Sequence, residues 1–497
     1  MTSETEQDQQ AEQDQQAEQA ALLRRTGAAV LSLAVAELLG KVATFVTFLL
    51  LARILGVAEF GVLSFGWSLG LLLAVFSSLG LEARLTQLGS ARPELLDRCY
   101  GALVAIRLGL CAVVLVPTTG LLFGTMSTTH ALTVTFLVAA GLADTLVDAS
   151  RAACGARQRQ HLSAVVLVVQ RFSALILSVG VLVVTESVWC AALGYLVATC
   201  IGVLGMHVAA RRAGVRMRIR GSRAEARMIL EAAPVMGLGA VAAMGMFRID
   251  AALIGMILGT TAVGVYGAGY RIFETVLFVS WTLARAYVPV IASRPGDTEH
   301  VRRWAQRSLV VVAAVYVPYG VLLATRGDDL VGLLFGPEYV HRGLLWGLAV
   351  APLLFGVSYL GSTVLLALRP DPVVLVGSVA ALVANIGLNL WLIPVWGITA
   401  AAVATSVAFL VQSVVVVRAL TRTVGSIVAV PELVAVLVAA VVVGLALEAV
   451  GPLLPALAVA GLAYVAVAVL AVRRLAPSAL GQLRAGLRRT PVAGSRI

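Results

Sequence analysis

Apolar residues run in long unbroken stretches along this chain, separated by short polar breaks. Fourteen stretches are long enough to cross a bilayer, which takes about 20 residues in a helix. They lie near 27–51, 60–81, 99–123, 131–150, 162–184, 188–209, 229–257, 264–291, 308–325, 343–366, 373–394, 397–417, 430–449 and 453–472. Their bulk is Ala, Val and Leu, without the alternating ten-residue segments of a membrane barrel, so they read as helices. Ahead of them the segment EQDQQA repeats, from Glu6 to Ala11 and from Glu12 to Ala17. So polar a stretch predicts a disordered cytoplasmic tail over 1–21. It lacks the basic start and apolar stretch of a cleaved signal. The pattern predicts an all-α polytopic membrane protein with about 14 transmembrane helices.

Composition supports this. Of 497 residues, 60% are hydrophobic and 13% charged, whereas soluble domains are nearer one half and one quarter. An ordinary soluble enzyme is excluded. The net charge is +11 from 37 basic residues, of which only Lys41 is lysine. With the N-terminus inside, 28 basic residues fall in cytoplasmic loops and tails and 3 outside (Arg53, Arg326 and Arg342). That asymmetry predicts a multi-pass protein of the cytoplasmic (inner) membrane with both termini cytoplasmic. The basic charge therefore needs no nucleic-acid partner. Cys99, Cys111, Cys154, Cys190 and Cys200 form no CxxC pair and read as small core residues, with no disulfide and no metal site.

No polar loop is long enough to fold as a catalytic domain. No phosphate-binding GxxxxGK[ST] loop occurs, since Gly40-Lys41 is followed by Val42. No enzyme activity and no cofactor are expected, and transport is the default for so many helices.

The chain also repeats itself. ILGVAEFGVLSFGW (Ile54 to Trp67) and ILGTTAVGVYGAGY (Ile257 to Tyr270) match at an offset of 203, in Ile, Leu, Gly, Gly, Val and Gly. The offset is even in spans, which predicts parallel six-helix repeats with helices 13 and 14 appended. The expected organisation is a lobe at 22–210, a basic cytoplasmic linker at 211–228 and a second lobe at 229–420. Helices 13 and 14 follow at 421–475, then a basic cytoplasmic tail at 476–497.

Four stretches resemble the polysaccharide (O-antigen type) flippases of the multidrug/oligosaccharidyl-lipid/polysaccharide exporter superfamily. They are ARILGVAEFGVLSF (Ala52 to Phe65), RIDAALIGMILGTTAVGVYGAGYRI (Arg248 to Ile272), FGPEY (Phe335 to Tyr339) and NIGLNLWLIPVWGITAAAVAT (Asn385 to Thr405). The resemblance implies two six-helix lobes around a central cavity plus two extra helices. It also implies export of a polyprenyl-(pyro)phosphate-linked oligosaccharide by alternating access, with H+ or Na+ as possible coupling ion. A monomer is expected.

Charges inside spanning helices cost about 2.5–3.5 kcal/mol each on insertion scales, which marks them as functional candidates. Lys41 stands one turn after Glu37 in helix 1. Arg248 and Asp250 lie in helix 7 and point to nearly opposite sides. Arg271, Glu274 and Arg285 fall on one stripe of helix 8 with Phe278 and Thr282 at about 100° per residue. Lys41, Arg248, Arg271, Glu274 and Arg285 are therefore the substrate-site candidates, because guanidinium and ammonium groups suit phosphates. Arg248 and Arg271 lie at similar distances from the loop joining their helices, so they should sit at one depth and share an anion.

The ion-coupling candidates are Asp250, Asp144 and Glu37, with Asp250 favoured as deep and lacking a local partner. Asp148 and Arg151 read as a structural pair, Arg107 and Arg171 as single charges. Asn385 and Asn389 read as bonds between helices. Two alternatives stay open: a cation-coupled multidrug exporter and a flippase of the peptidoglycan lipid precursor.

Overall fold

The computed structural model describes residues 2–218, 223–292, 296–368 and 371–475. The side chains of 2–35, 37, 289, 292 and 468–475 fall outside what is described. The basic tail expected at 476–497 lies outside it altogether. All regular structure among the described residues is helical. In order the helices are α1 (Thr2–Ser78), α2 (Leu81–Ala91), α3 (Leu96–Thr125), α4 (Thr128–Ala156), α5 (Gln160–Thr185), α6 (Val188–Arg212) and α7 (Arg223–Leu230). There follow α8 (Ala233–Ile257), α9 (Thr260–Val276), α10 (Phe278–Ala292), α11 (Thr298–Leu334) and α12 (Leu344–Leu348). The last are α13 (Ala351–Leu368), α14 (Pro372–Trp396), α15 (Ile398–Val424), α16 (Val430–Ala449) and α17 (Leu453–Leu475). Among the described residues, 12 are long and apolar enough to cross a membrane, and Leu453–Val467 is a shorter apolar helix. The first of the 12, Leu38–Ser78, bends at Gly56 and so contains both of the first two expected segments. Side chains such as Val113, Val184 and Trp391 are left outward, as a lipid solvent requires.

Helix α1 begins at Thr2, within the segment expected as a polar tail. Glu, Gln and Ala are good helix formers, and no Gly or Pro precedes Gly27. The segment thus continues the first span, although it has no apolar face to bury.

The helices divide into two compact units. One holds residues 1–55 and 65–244, the other 56–64 and 245–497. The division falls within α8, between Met244 and Gly245, and not in the 211–228 linker.

In the first unit, α4 and α6 pack face to face on small residues, with Ala131, Val138, Ala191 and Ala198 fully buried. Chain reversals are tight: only Met126 and Ser127 separate α3 from α4, and Ser127 caps α4 by accepting from His130 N–H.

The second unit shows the repeat directly. Gly56 (φ 71°, ψ 175°) and Gly259 (φ 88°, ψ 169°) stand 203 residues apart and share one backbone conformation. Side-chain-bearing residues essentially never adopt it. The equivalent Gly61 and Gly264 lie at a close backbone crossing: a Cβ on Gly264 would come within 3.1 Å of the Gly61 Cα.

One expected helix is locally distorted. The eighth apolar segment is a single span, Thr260–Val288, interrupted at Leu277 between α9 and α10, where the backbone stays close to helical (φ −62°, ψ −20°). The break contains neither Pro nor Gly, so local sequence does not impose it. Tyr316 of α11 does. Its buried hydroxyl lies 3.1 Å from the Ser280 amide and 2.8 Å from the Ser280 hydroxyl, and within 3.4 Å of the Val276 and Leu277 carbonyls. It stands in for helical bonds missing at the break. Gly356 of α13 leaves the room for this ring, since a Cβ there would meet the Tyr316 ring at 2.6 Å.

Candidate functional site

The second unit gathers its charges where α8 and α9 face each other. Arg248 of α8 donates to the Glu274 carboxylate at 2.6 Å. Arg271 stands one turn before Glu274 on α9 and reaches the other carboxylate oxygen at 3.7 Å. The anion that the two arginines share is thus the protein's own. The three side chains are 13%, 12% and 20% exposed, so the cluster is sheltered yet reachable. The Arg248 guanidinium also lies 5.9 Å from the centroid of the Tyr270 ring, a cation–π arrangement. Two buried donors have no hydrogen-bond partner among the described residues: Arg248 Nε and the Tyr270 hydroxyl. The cluster is therefore rich in donors and short of acceptors.

Asp250 follows two residues after Arg248 and turns to other helices. The sequence left it without a partner, and the structure corrects this. Its Oδ1 accepts from Asn389 of α14 at 2.7 Å. Its Oδ2 accepts from Tyr266 of α9 at 2.9 Å and from Thr405 of α15 at 2.5 Å. Thr405 also bonds the Ala401 carbonyl, and Asn389 the Asn385 side chain at 3.1 Å. Asp250, Asn385, Asn389 and Thr405 are all at most 1% exposed. The hydrogen-bond partners of this carboxylate are neutral, and Asn389 Oδ1 is a buried oxygen with no partner among the described residues. This arrangement can neutralise the aspartate with a proton. It can also offer a small cation several oxygens, after rotation of the Asn389 amide. The two Asn were legible as a pair one turn apart, and they do bridge helices. Tyr266, Tyr270 and Thr405 went unread, because an aromatic or a Thr in an apolar helix is ordinary.

The remaining candidates separate. Arg285 is exposed on α10, beyond the break at Leu277. The stripe expected through Arg271, Glu274 and Arg285 crosses the interruption at Leu277, with Arg271 and Glu274 on one side of it and Arg285 on the other. Lys41 is exposed on α1 in the first unit, and the side chain of Glu37 lies outside the described residues. Asp144, also in the first unit, is engaged: Gln170 donates to it at 2.6 Å, and Arg171 lies at 3.5 Å. Arg171 also donates to the Tyr195 hydroxyl at 3.1 Å. Arg107 is fully buried and pairs with Glu82 at 2.6 Å and the Thr145 carbonyl. Both arginines read as single charges thus have carboxylate partners. Asp148 and Arg151 pair at 2.8 Å. Among the described residues no group of three His, Cys, Asp or Glu side chains is placed to hold a metal ion.

A family model described as polysaccharide biosynthesis protein matches residues 50–342, more than half of the chain. The chain belongs to that family. A probable flippase of Haloferax volcanii is 31% identical over 184 residues, which cover 35% of this chain and 38% of that protein. A probable low-salt glycan biosynthesis flippase of the same organism is 28% identical over 170 residues, 33% of this chain and 36% of that protein. The chain therefore spans less than two-fifths of the length of these curated relatives.

The fold is that of two kinds of solved transporter. The structure of a lipid II flippase, MurJ, in an inward closed conformation superposes with a TM-score of 0.75 at 12% identity, covering 89% of this chain and 99% of that one. An inward-facing multidrug resistance transporter, described as a MATE family member of the MOP superfamily, gives 0.63 at 14% identity, over 77% of this chain and 95% of that one. This member of the polysaccharide biosynthesis family is a multi-pass, all-helical membrane protein.

Proposed function

We propose that this protein carries a polyprenyl-(pyro)phosphate-linked oligosaccharide across the cytoplasmic membrane, by alternating access, for cell-surface polysaccharide synthesis. The observation that carries the reading is the pair of arginines on one carboxylate, with Arg248 Nε and the Tyr270 hydroxyl still unmet. A phosphate offers several acceptor oxygens in a tetrahedron, and guanidinium forks bind such groups in charge-assisted pairs. Unmet buried donors cost free energy until an acceptor arrives. Arg248, Arg271 and Glu274 carry two positive charges and one negative, which favours an anionic cargo over the cations of a multidrug exporter. The names of the Haloferax relatives support the same cargo class.

Both termini are cytoplasmic in this reading, since the basic residues then lie on the inner side. The protein performs no covalent chemistry: it binds, reorients and releases. Asp250 takes the coupling ion, a proton or Na+, because a carboxylate buried among neutral partners is costly unless neutralised. Asp250→Asn should weaken ion-driven transport while the protein still reaches the membrane, and unchanged ion dependence would remove Asp250 from this role.

The cargo reading is tested in a deletion strain complemented at matched membrane levels. Arg248→Ala and Arg271→Ala should each abolish or strongly reduce surface polysaccharide, and the Lys variants should keep part of it. Normal export by both Ala variants would make these arginines structural and end the reading.

A further inference from the structure

The Arg248–Glu274–Arg271 cluster has an anion already in the place where a substrate phosphate would bind. We infer that Glu274 is a built-in competitor of the substrate: it holds both arginines in the empty transporter and is displaced by the incoming phosphate. This deepens the proposed function and rests on it.

The geometry supports exchange over a permanent bond. Glu274 engages Arg248 through one oxygen at 2.6 Å and leaves Nε of the same guanidinium unmet, so the fork is only half used. Its second oxygen reaches Arg271 at the longer distance of 3.7 Å. A phosphate can meet Nε and Nη of Arg248 together and also accept from the Tyr270 hydroxyl. The incoming group therefore makes bonds that the carboxylate does not. Glu274 sits in the last turn of α9, three residues before the break at Leu277. At 20% exposure its side chain has somewhere to go. The Arg107–Glu82 pair in the first unit also leaves an Nε unmet and has a partly exposed carboxylate. It differs in that Arg107 is fully buried, bonds the Thr145 carbonyl as well and shares its carboxylate with no second arginine among the described residues.

Competition makes Glu274 a specificity device. An incoming carboxylate would replace like with like and gain little. A phosphate or diphosphate carries more charge and more acceptors, and so wins the exchange. The return of Glu274 to the arginines then helps to expel the cargo on the far side.

The test uses the full-length protein in nanodiscs, with polyprenyl pyrophosphate as the probe and native mass spectrometry or intrinsic fluorescence as the readout. Glu274→Gln and Glu274→Ala remove the competing charge, whereas Glu274→Asp keeps it. The charge-removing variants should bind the probe about tenfold more tightly, the equivalent of one charge-assisted contact no longer competing. Export in cells should fall, because release slows. Glu274→Asp should bind close to wild type. Unchanged or weaker binding by the charge-removing variants overturns the proposal, as does equal tightening in Glu274→Asp. Failure of both charge-removing variants to reach the membrane also overturns it, since Glu274 would then be a structural partner. Failure of the wild type to bind the probe at all is a separate result and ends the cargo reading itself.

Discussion

Two clusters of sheltered charge, one in each unit, are built differently. In the first unit Arg107 pairs with Glu82 and Arg171 with Asp144, one carboxylate to each arginine. In the second, Glu274 serves both Arg248 and Arg271, and Asp250 is held by neutral groups only. A matched pair leaves neither charge uncompensated, and removing one partner is what costs stability. In the second unit one carboxylate is divided between two cations, and another has neutral hydrogen-bond partners among the described residues. The first arrangement suits a frame, the second a site where charged cargo and ions come and go.

The largest expected effect breaks the comparison most directly. Arg171→Gln should export polysaccharide within about threefold of wild type once membrane levels are matched, since a frame contact contributes to folding and not to cargo binding. Arg248→Ala should lose export almost completely. Equal losses in both would erase the distinction between the units.

Next comes stability. Arg107→Met leaves the Thr145 carbonyl and the partly exposed Glu82 without their buried partner, which costs about 1–3 kcal/mol. The purified variant should unfold at markedly lower temperature, and the double variant Arg107→Met/Glu82→Leu should recover much of that loss. No recovery would mean that Arg107 acts through the Thr145 carbonyl alone.

A comparable effect concerns the repeat. Gly56→Ala and Gly259→Ala put a side chain into a backbone conformation that costs about 1–3 kcal/mol. Thermal unfolding should show similar losses for the two, because their backbones match. A large loss at one position and none at the other would contradict the equivalence.

The smallest is Tyr316→Phe. It removes one buried hydroxyl from the α9–α10 break, for about 1–2 kcal/mol. Export should fall more than stability, because α9 carries Arg271 and Glu274. A proportionate fall in both would make the tyrosine structural only.

Much of the architecture was legible, because spans are written as runs of about 20 apolar residues and turns as single breaks. The repeat was legible too, since Gly56 and Gly259 are glycines for the same backbone reason. Arg248 and Arg271 could be placed at one depth by counting residues from their shared loop. What they share was less legible, because Glu274 faces α8 only through the packing of α9. The break at Leu277 was invisible, since its cause sits at Tyr316, 36 residues from Ser280. The partners of Asp250 were invisible for the same reason: Asn389 and Thr405 lie 139 and 155 residues away.

The central claim is that the cationic cluster of the second unit, and not the matched pairs of the first, grips a phosphate-bearing lipid. Binding of polyprenyl pyrophosphate to purified wild type, Arg248→Ala, Arg271→Ala and Arg171→Gln in nanodiscs tests it most directly. The account predicts at least tenfold weaker binding for the two second-unit variants, and binding within about twofold of wild type for Arg171→Gln. Equal binding by all four proteins, or a loss confined to Arg171→Gln, would contradict it.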